Sequence, residues 1–205
     1  MNTILQPTFS FTGEPKTVSL QPQQKPIELP PRRTATYQEE PGYYADGKLW
    51  LYGNIKLLHG SLGFVEEAFG PPPYLEHQLR EVERAAEALV LAGKTLVCGV
   101  HNPPHQRAAV VPLRWGSPRI VIFSGGIKHH LGSELNQEPF RIARLWRYEW
   151  DAKTDLAISL RAPDKLPTFA HHNPTVDRLI REIANFTRIG FASPLSTMRP
   201  RVEVA

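Results

Sequence analysis

Two loops of the chain place glycine beside histidine or lysine directly after an apolar run. The first reads Gly99-Val-His-Asn-Pro-Pro-His105, and the second reads Ser124-Gly-Gly-Ile-Lys-His-His130. Glycine allows a close backbone approach that a Cβ would block, and lysine and histidine supply positive or donor groups to a phosphate. An ordinary turn after a strand is the alternative. The residues expected at a phosphate or nucleic acid are Gly99, His101, His105, Ser124, Gly125, Gly126, Lys128 and His129.

The spacing of His101 and His105 raises the question of a metal site. Imidazoles four residues apart share one face of a helix, but Pro103 and Pro104 fall between these two. The prolines argue against a regular helix across the pair, although they suit the first turn of a helix that starts there. The chain also has no cysteine cluster and no His-Glu-x-x-His motif. The sequence therefore predicts no metal site.

Motifs for catalysis and for cofactor binding are missing as well. The chain has no Gly-x-Ser-x-Gly elbow, no Gly-x-Gly-x-x-Gly fingerprint and no Walker A lysine motif. Ser124 follows an apolar run but lacks the glycine that precedes such a nucleophile. We expect a protein without catalytic residues and without a cofactor.

The elements that must position the two loops follow a strand, helix and strand pattern. Apolar runs at 94–99 and 119–124 predict buried strands, and 103–115 is long enough for one crossover helix. This βαβ unit predicts an α/β fold of the Rossmann kind, a mostly parallel sheet with helices on both faces. A helix before the unit ends at Gly93, and its apolar positions are Leu75, Leu79, Val82, Ala86, Leu89 and Val90. Further elements are expected near 48–53, 63–65, 140–146, 154–159, 176–184 and 188–192.

Composition divides the chain into an arm, a domain and a tail. Residues 1–42 are rich in proline and sustain no period, so we expect an extended or disordered arm. We expect residues 43–197 to form one Rossmann domain and residues 198–205 to form a tail. Cys98 is the only cysteine, so no intramolecular disulfide forms, and with no leader or membrane-spanning pattern we expect a cytoplasmic protein. The formal net charge of +4 permits an anionic partner.

A further segment mixes arginine with aromatic residues. Arginine recurs every third residue, and such a mixture could grip a single strand through phosphate contacts and base stacking. A solvated arginine face with the aromatics in the core explains the pattern equally simply. The residues are Arg141, Arg144, Trp146, Arg147, Tyr148 and Trp150.

From Gly47 to about Ser196, the order of elements resembles the core of the DNA-processing protein A (DprA/Smf) family. The similar segments include an apolar stretch closed by Gly-Asn, a helix end leading into a strand, and an apolar strand ending in Gly-Gly. Cys98 stands where that family usually has serine, and His171-His172 stand where it has paired arginines. The segments are Leu49–Leu58, Leu91–Gly99, His105–Ala109, Ile120–Ile127 and Thr168–Asn173.

This resemblance implies binding of single-stranded DNA, a homodimer, and loading of a RecA-type recombinase during DNA uptake or recombination, without a cofactor. The contacts it favours at the carboxyl edge of the sheet are Lys128, His129, His171, His172 and Asn173. Histidine charge changes near pH 6.5, so we expect tighter DNA binding at pH 6 than at pH 8.

Two alternatives to DNA binding remain open. One is a scaffold that kept the fold, lost the ligand, and docks partner proteins through its proline-rich arm. The other resembles the nucleoside-monophosphate phosphoribohydrolases, which need a Pro-Gly-Gly-x-Gly-Thr loop and a carboxylate base. Of that loop the chain keeps Gly125-Gly126.

Overall fold

A six-stranded sheet forms the centre of the protein. The computed structural model describes residues 43–45, 49–167 and 173–185. The strands are β1 (Tyr43–Ala45), β2 (Trp50–Gly53), β3 (Leu62–Gly63), β4 (Thr95–Gly99), β5 (Arg119–Phe123) and β6 (Leu156–Ser159). The helices are α1 (Glu76–Leu91), α2 (Pro103–Arg114), α3 (Ile127–Leu131), α4 (Arg141–Leu145) and α5 (Pro174–Asn185), with 3₁₀ turns at Ile55–His59 and Glu66–Ala68.

The strand order in the sheet is β1-β2-β6-β5-β4-β3. The four strands from β3 to β6 are parallel, whereas β2 runs antiparallel to β6 and β1 antiparallel to β2. Successive parallel strands lie side by side, because each is joined to the next by a helical crossover. The predicted α/β fold, with a mostly parallel sheet, is confirmed.

Helices cover both faces of this sheet. On β4, Leu96 and Cys98 belong to one apolar cluster with α1 and α2, while Val97 belongs to another that holds Leu179 and Ile180 of α5. Successive strand residues point to opposite faces, so α5 lies across the sheet from α1 and α2. The all-apolar runs predicted as buried strands are explained by this double coverage.

Cys98 is one of the residues enclosed in this way. Burial raises the pKa of its thiol to about 12, and its Sγ lies 3.7 Å from the carbonyl oxygen of Ile120. The thiol therefore stays protonated and behaves as a small apolar side chain.

Some predictions lie outside the described residues. These are the arm at 1–42, His171 and His172, and the closing strand expected at 188–192. Among the described helices, none combines the length and the apolar composition needed to cross a bilayer.

Candidate functional site

Helix α2 starts at the prolines between the two predicted histidines. The Asn102 side chain accepts the backbone N–H of His105 at 2.8 Å and caps the helix, and Pro103 and Pro104 occupy its first turn. Proline is tolerated there because the first N–H groups of a helix have no partner within it. His101 thus lies just before α2 and His105 within its first turn, so the prolines bring the pair together.

Helix α5 brings a carboxylate to the same place. Its Val176, Ile180 and Ala184 are buried, and Asp177 is buried on the same side of the helix. Asn173 begins the helix, since its side-chain oxygen accepts the Val176 N–H at 3.2 Å. Helix α5 packs on β4, and a Cβ on Gly99, at the carboxyl end of that strand, would lie 3.2 Å from the Ile180 side chain.

The three side chains meet around one oxygen atom, Oδ1 of Asp177. Nε2 of His101 lies 3.0 Å from it and Nε2 of His105 lies 3.2 Å from it. The two imidazole centroids are 4.6 Å apart. A Cβ on Gly99 would come within 2.8 Å of His101 Nδ1, so this glycine gives the imidazole room to fold back on the strand end. We call these three residues the His-His-Asp cluster.

In this cluster, burial and the contacts among the side chains have opposite effects on the pKa of His105 and on the pKa of Asp177. Burial lowers the pKa of His105, although Asp177 partly opposes this. Burial alone would raise the pKa of Asp177, but its close approach to His101 and its hydrogen bond with His105 outweigh burial, and the pKa is lowered. We conclude that Asp177 is ionised at neutral pH, and that His105 is neutral and donates its Nε2 proton to Oδ1, because desolvation penalises a second charge.

The surroundings of the cluster are partly aromatic. The Phe69 ring meets the His105 ring edge-on at 5.1 Å, and the Arg181 guanidinium lies 4.0 Å from the Phe69 centroid. Arg181 also pairs with Glu66 at 2.7 Å. Tyr74 donates to the Gly70 carbonyl at 3.0 Å, and burial raises its pKa. The positive charge of Arg181 is therefore paired with Glu66, which is not part of the cluster.

The second predicted loop, between β5 and α3, is covered by residues 162–167. The Gly126 N–H donates to the Lys165 carbonyl at 2.7 Å, and the Lys128 N–H to the Pro163 carbonyl at 3.0 Å. A Cβ on Gly126 would lie 2.1 Å from the Pro163 carbonyl oxygen. The close approach that this glycine permits is thus to the chain itself, and phosphate binding by Gly125, Gly126 and buried Ser124 stays a prediction.

The histidines after this loop differ from each other. Nε2 of His130 accepts the Gly125 N–H at 3.2 Å, and its ring stacks on Phe123 at 4.5 Å. Burial and the neighbouring His129 lower the pKa of His130 to about 4. His129 is exposed, and half-exposed Lys128 lies 3.7 Å from Asp164. Only His129 and Lys128 of this group are open to an added ligand.

Comparison with protein-family models, with curated proteins and with solved structures finds no match for this chain. The resemblance to the DprA/Smf family therefore stays a prediction.

A groove of about 340 Å³ runs along α2 and meets α4. Its floor is apolar, with buried Val110 and Phe140, and three arginines line it: Arg107, Arg114 and Arg141. The predicted aromatic face is only partly present, since Trp150 is buried in the core and Tyr148 donates to the Leu113 carbonyl at 3.1 Å. Trp146 is half-buried, with the Arg114 guanidinium 5.3 Å from its ring centroid.

The opposite, amino edge of the sheet holds a buried ionic network. Arg119 is fully buried, and its guanidinium contacts Asp155 at 3.1 Å, Glu138 at 2.5 Å and the Ala109 carbonyl at 2.8 Å. Burial opposes the charge, but the two carboxylates outweigh it and raise the pKa of Arg119. Asp155 also accepts the Arg119 backbone N–H at 3.2 Å. This network holds β5, β6 and α2 together.

The structure thus brings together part of the predicted site and adds one residue. Gly99, His101 and His105 meet at one place, and Lys128 and His129 lie on the separate β5–α3 loop. His171 and His172 lie outside the described residues, and Asn173 caps α5. Asp177 was missed, although a carboxylate on the buried side of an apolar helical stripe is a signal that the sequence contains.

Proposed function

We propose that the chain binds single-stranded nucleic acid along the groove between α2 and α4. The observation that carries the proposal is the pairing of an apolar floor, Val110 and Phe140, with arginines along the groove. A single strand offers both phosphates for the arginines and base faces for the apolar surface. The volume of about 340 Å³ lies in the usual range of ligand pockets.

At the groove, the positive charge that is not paired with a carboxylate lies on and just after α4. Arg107 and Arg114 both pair with Glu83, so their charges are partly neutralised. Among the described residues, exposed Arg141 and Arg147 make no ion pair. Within the described part of the chain, exposed Arg144 donates to the Glu138 and Pro139 carbonyls and makes no ion pair, so it keeps its charge. These three arginines, which we call the α4 arginines, are the expected phosphate contacts.

Exposed apolar surface beside these charges favours a single strand over a duplex. Ile142 is 43% exposed and Leu145 is 72% exposed, both at the groove. In a duplex the base faces are stacked inside, so this apolar surface would have nothing to cover it. Unpaired bases would cover it.

The experiment is a fluorescence-anisotropy titration of a labelled single-stranded oligonucleotide at two salt concentrations. We expect binding that weakens steeply with salt, since bound phosphates release counterions. Replacing the α4 arginines together (Arg141→Ala, Arg144→Ala, Arg147→Ala) should weaken binding at least tenfold and reduce the salt slope by about 2, at roughly 0.7 per lost phosphate contact.

A charge-matched control removes three exposed arginines elsewhere, Arg80, Arg84 and Arg178. This control keeps near-native affinity if the groove is the binding surface. Equal loss in both triple variants, or no binding by the unmodified chain at either salt concentration, would overturn the proposal.

The pH dependence of binding shows whether the nucleic acid binds in the groove or at the carboxyl edge of the sheet. Arginine stays charged throughout the neutral range, so binding in the groove is the same at pH 6 and pH 8. Binding through His129, His171 and His172 is tighter at pH 6. A marked pH dependence that is lost in His171→Ala with His172→Ala would move the site to the edge.

On this proposal the chain acts in the cytoplasm, without a cofactor and without catalysis, in DNA processing, natural transformation or recombination. The DprA/Smf resemblance supports a homodimer and a RecA-type recombinase as partners. Sedimentation of the chain alone and with a recombinase on single-stranded DNA tests both partners.

A second candidate function is a scaffold that acts through protein partners. The observation that favours it is the β5–α3 loop, whose Gly125, Gly126 and Lys128 N–H groups all donate to the chain itself. These three N–H groups are already used within the chain and are not offered to a phosphate. Absence of oligonucleotide binding at either salt concentration would therefore support the scaffold. Nothing in the described residues specifically favours the phosphoribohydrolase-like alternative, which release of free base from a nucleoside monophosphate would support.

A further inference from the structure

We propose that the His-His-Asp cluster is a binding site for a divalent transition-metal ion, with zinc as the best match. It is formed by His101 before α2, His105 in the first turn of α2, and Asp177 in the first turn of α5. Their ligand atoms all lie within 4.8 Å of one another. This site is distinct from the groove and does not depend on nucleic-acid binding.

The first argument is an imidazole whose hydrogen-bonding needs are unmet. The His101 side chain is fully buried, yet neither of its ring nitrogens has a hydrogen-bond partner among the described residues. Its Nε2 lies 3.0 Å from Asp177 Oδ1 but is not aligned for a hydrogen bond. An unsatisfied buried polar group destabilises the folded state, and a metal ion bound by this nitrogen would remove that penalty.

The second argument is the match between the donor set and the ion. Two imidazoles and one carboxylate are the kind of ligands that zinc takes, at about 2.0–2.2 Å. Tetrahedral ligands at that distance lie roughly 3.3 Å apart, close to the 3.0 and 3.2 Å between the histidine nitrogens and Oδ1. Small shifts of the side chains would therefore admit an ion.

The third argument concerns charge and access. The buried Asp177 carboxylate carries a negative charge, which a divalent cation compensates. The side chains are only 0%, 2% and 6% exposed, so a bound ion would be enclosed. Its principal effect would be to tie α5 to the end of β4 and the start of α2, because each of these elements supplies a ligand or holds one in place.

The experiment uses the full chain without a histidine tag, stripped with a chelator and titrated with Zn²⁺ against a chromophoric competitor at neutral pH. We expect one ion per chain, a dissociation constant in the micromolar range or tighter, and a rise in Tm with zinc. The near-isosteric Asp177→Asn should weaken zinc binding at least 100-fold while keeping the fold, checked by far-UV circular dichroism. His101→Ala should abolish the visible absorption of bound Co²⁺ that tetrahedral coordination gives.

His129→Ala is the matched control, since it removes an exposed imidazole outside the cluster. It should retain the affinity and the stoichiometry of the unmodified chain. Absence of zinc binding in the unmodified chain, or binding unchanged in both Asp177→Asn and His101→Ala, would overturn the proposal. The triple variant of the α4 arginines should still bind one zinc ion, so the two proposals succeed or fail separately.

Discussion

Two buried polar clusters lie at opposite edges of the sheet and are completed in different ways. At the amino edge, the Arg119 guanidinium meets two carboxylates and a carbonyl. At the carboxyl edge, His101 shares one carboxylate oxygen with His105 and has no aligned partner. Both clusters are almost inaccessible to water, so exposure does not distinguish them.

Unsatisfied polar atoms distinguish a cluster that can bind a ligand from one that only holds the fold together. When every polar atom has its partner, the cluster has no donor or acceptor left for a ligand, and its role is to hold elements together. When a buried polar atom lacks a partner, the chain carries a cost that a ligand can remove. Mutations should therefore affect the two clusters differently.

The largest effect is expected from Arg119→Met. The substitution leaves the Glu138 and Asp155 carboxylates buried without their cation, and breaking such a pair typically costs about 3–5 kcal/mol. Urea unfolding followed by circular dichroism measures the loss. Arg80→Met, which breaks an exposed pair with Glu76, is the control and should change the free energy of unfolding by less than about 0.5 kcal/mol. Equal losses in the two variants would contradict the structural role of Arg119.

An intermediate effect on the free energy of unfolding is expected from protonation of His130. This residue lies at the carboxyl edge, and its Nε2 accepts a hydrogen bond from the Gly125 N–H. Its pKa of about 4, against 6.5 for an exposed histidine, means that the unfolded chain binds the proton more tightly. Its contribution to stability is therefore complete above pH 6.5 and is lost as the pH falls toward 4. After allowance for partial exposure, the loss is about 1–3 kcal/mol.

The variant that isolates this effect is His130→Phe, which keeps an aromatic ring to stack on Phe123. Its deficit in unfolding free energy relative to the unmodified chain should shrink by that amount between pH 7.5 and pH 4.5. Urea unfolding at the two pH values measures it, and buried His105 contributes equally to both proteins. The control is His77→Ala, which removes an exposed histidine of α1 and should leave the difference from the unmodified chain the same at both pH values. A constant deficit for His130→Phe would show that His130 is not the responsible group.

The smallest effect is expected from His101→Leu in the presence of excess chelator. No hydrogen bond of His101 is lost, so the free energy of unfolding should change by less than about 1 kcal/mol. Chemical unfolding of the metal-free protein measures this change. A cost as large as that of Arg119→Met would place both clusters in the same structural class and remove the contrast between the edges.

The elements of the fold were predictable where local pattern and burial agree. The helix ending at Gly93 and the apolar runs of β4 and β5 show the periods of an exposed helix and of doubly covered strands. The position of β2 beside β6 was not predictable, because it depends on pairing between residues about 100 positions apart. Local sequence does not encode such a pairing.

The candidate site was half predictable for a similar reason. His101 and His105 stood out because they follow a strand, but their meeting depends on where α2 begins, which Asn102 and the prolines decide together. Asp177 lies 72 residues beyond His105, and the apolar stripe around it indicates a core-facing helix rather than a polar site. Tertiary packing of α5 on the sheet makes it a neighbour.

The short outer strands limit how a second copy of the chain could join the first. Among the described residues, β3 pairs with β4 through Leu62 and Gly63, and β1 on the other side spans three residues. A neighbour adding its own strand beside either one would gain few backbone hydrogen bonds, which also guards against aggregation through the sheet. A dimer of this protein would then be held by helix surfaces and loops, and its interface would be decided by side chains.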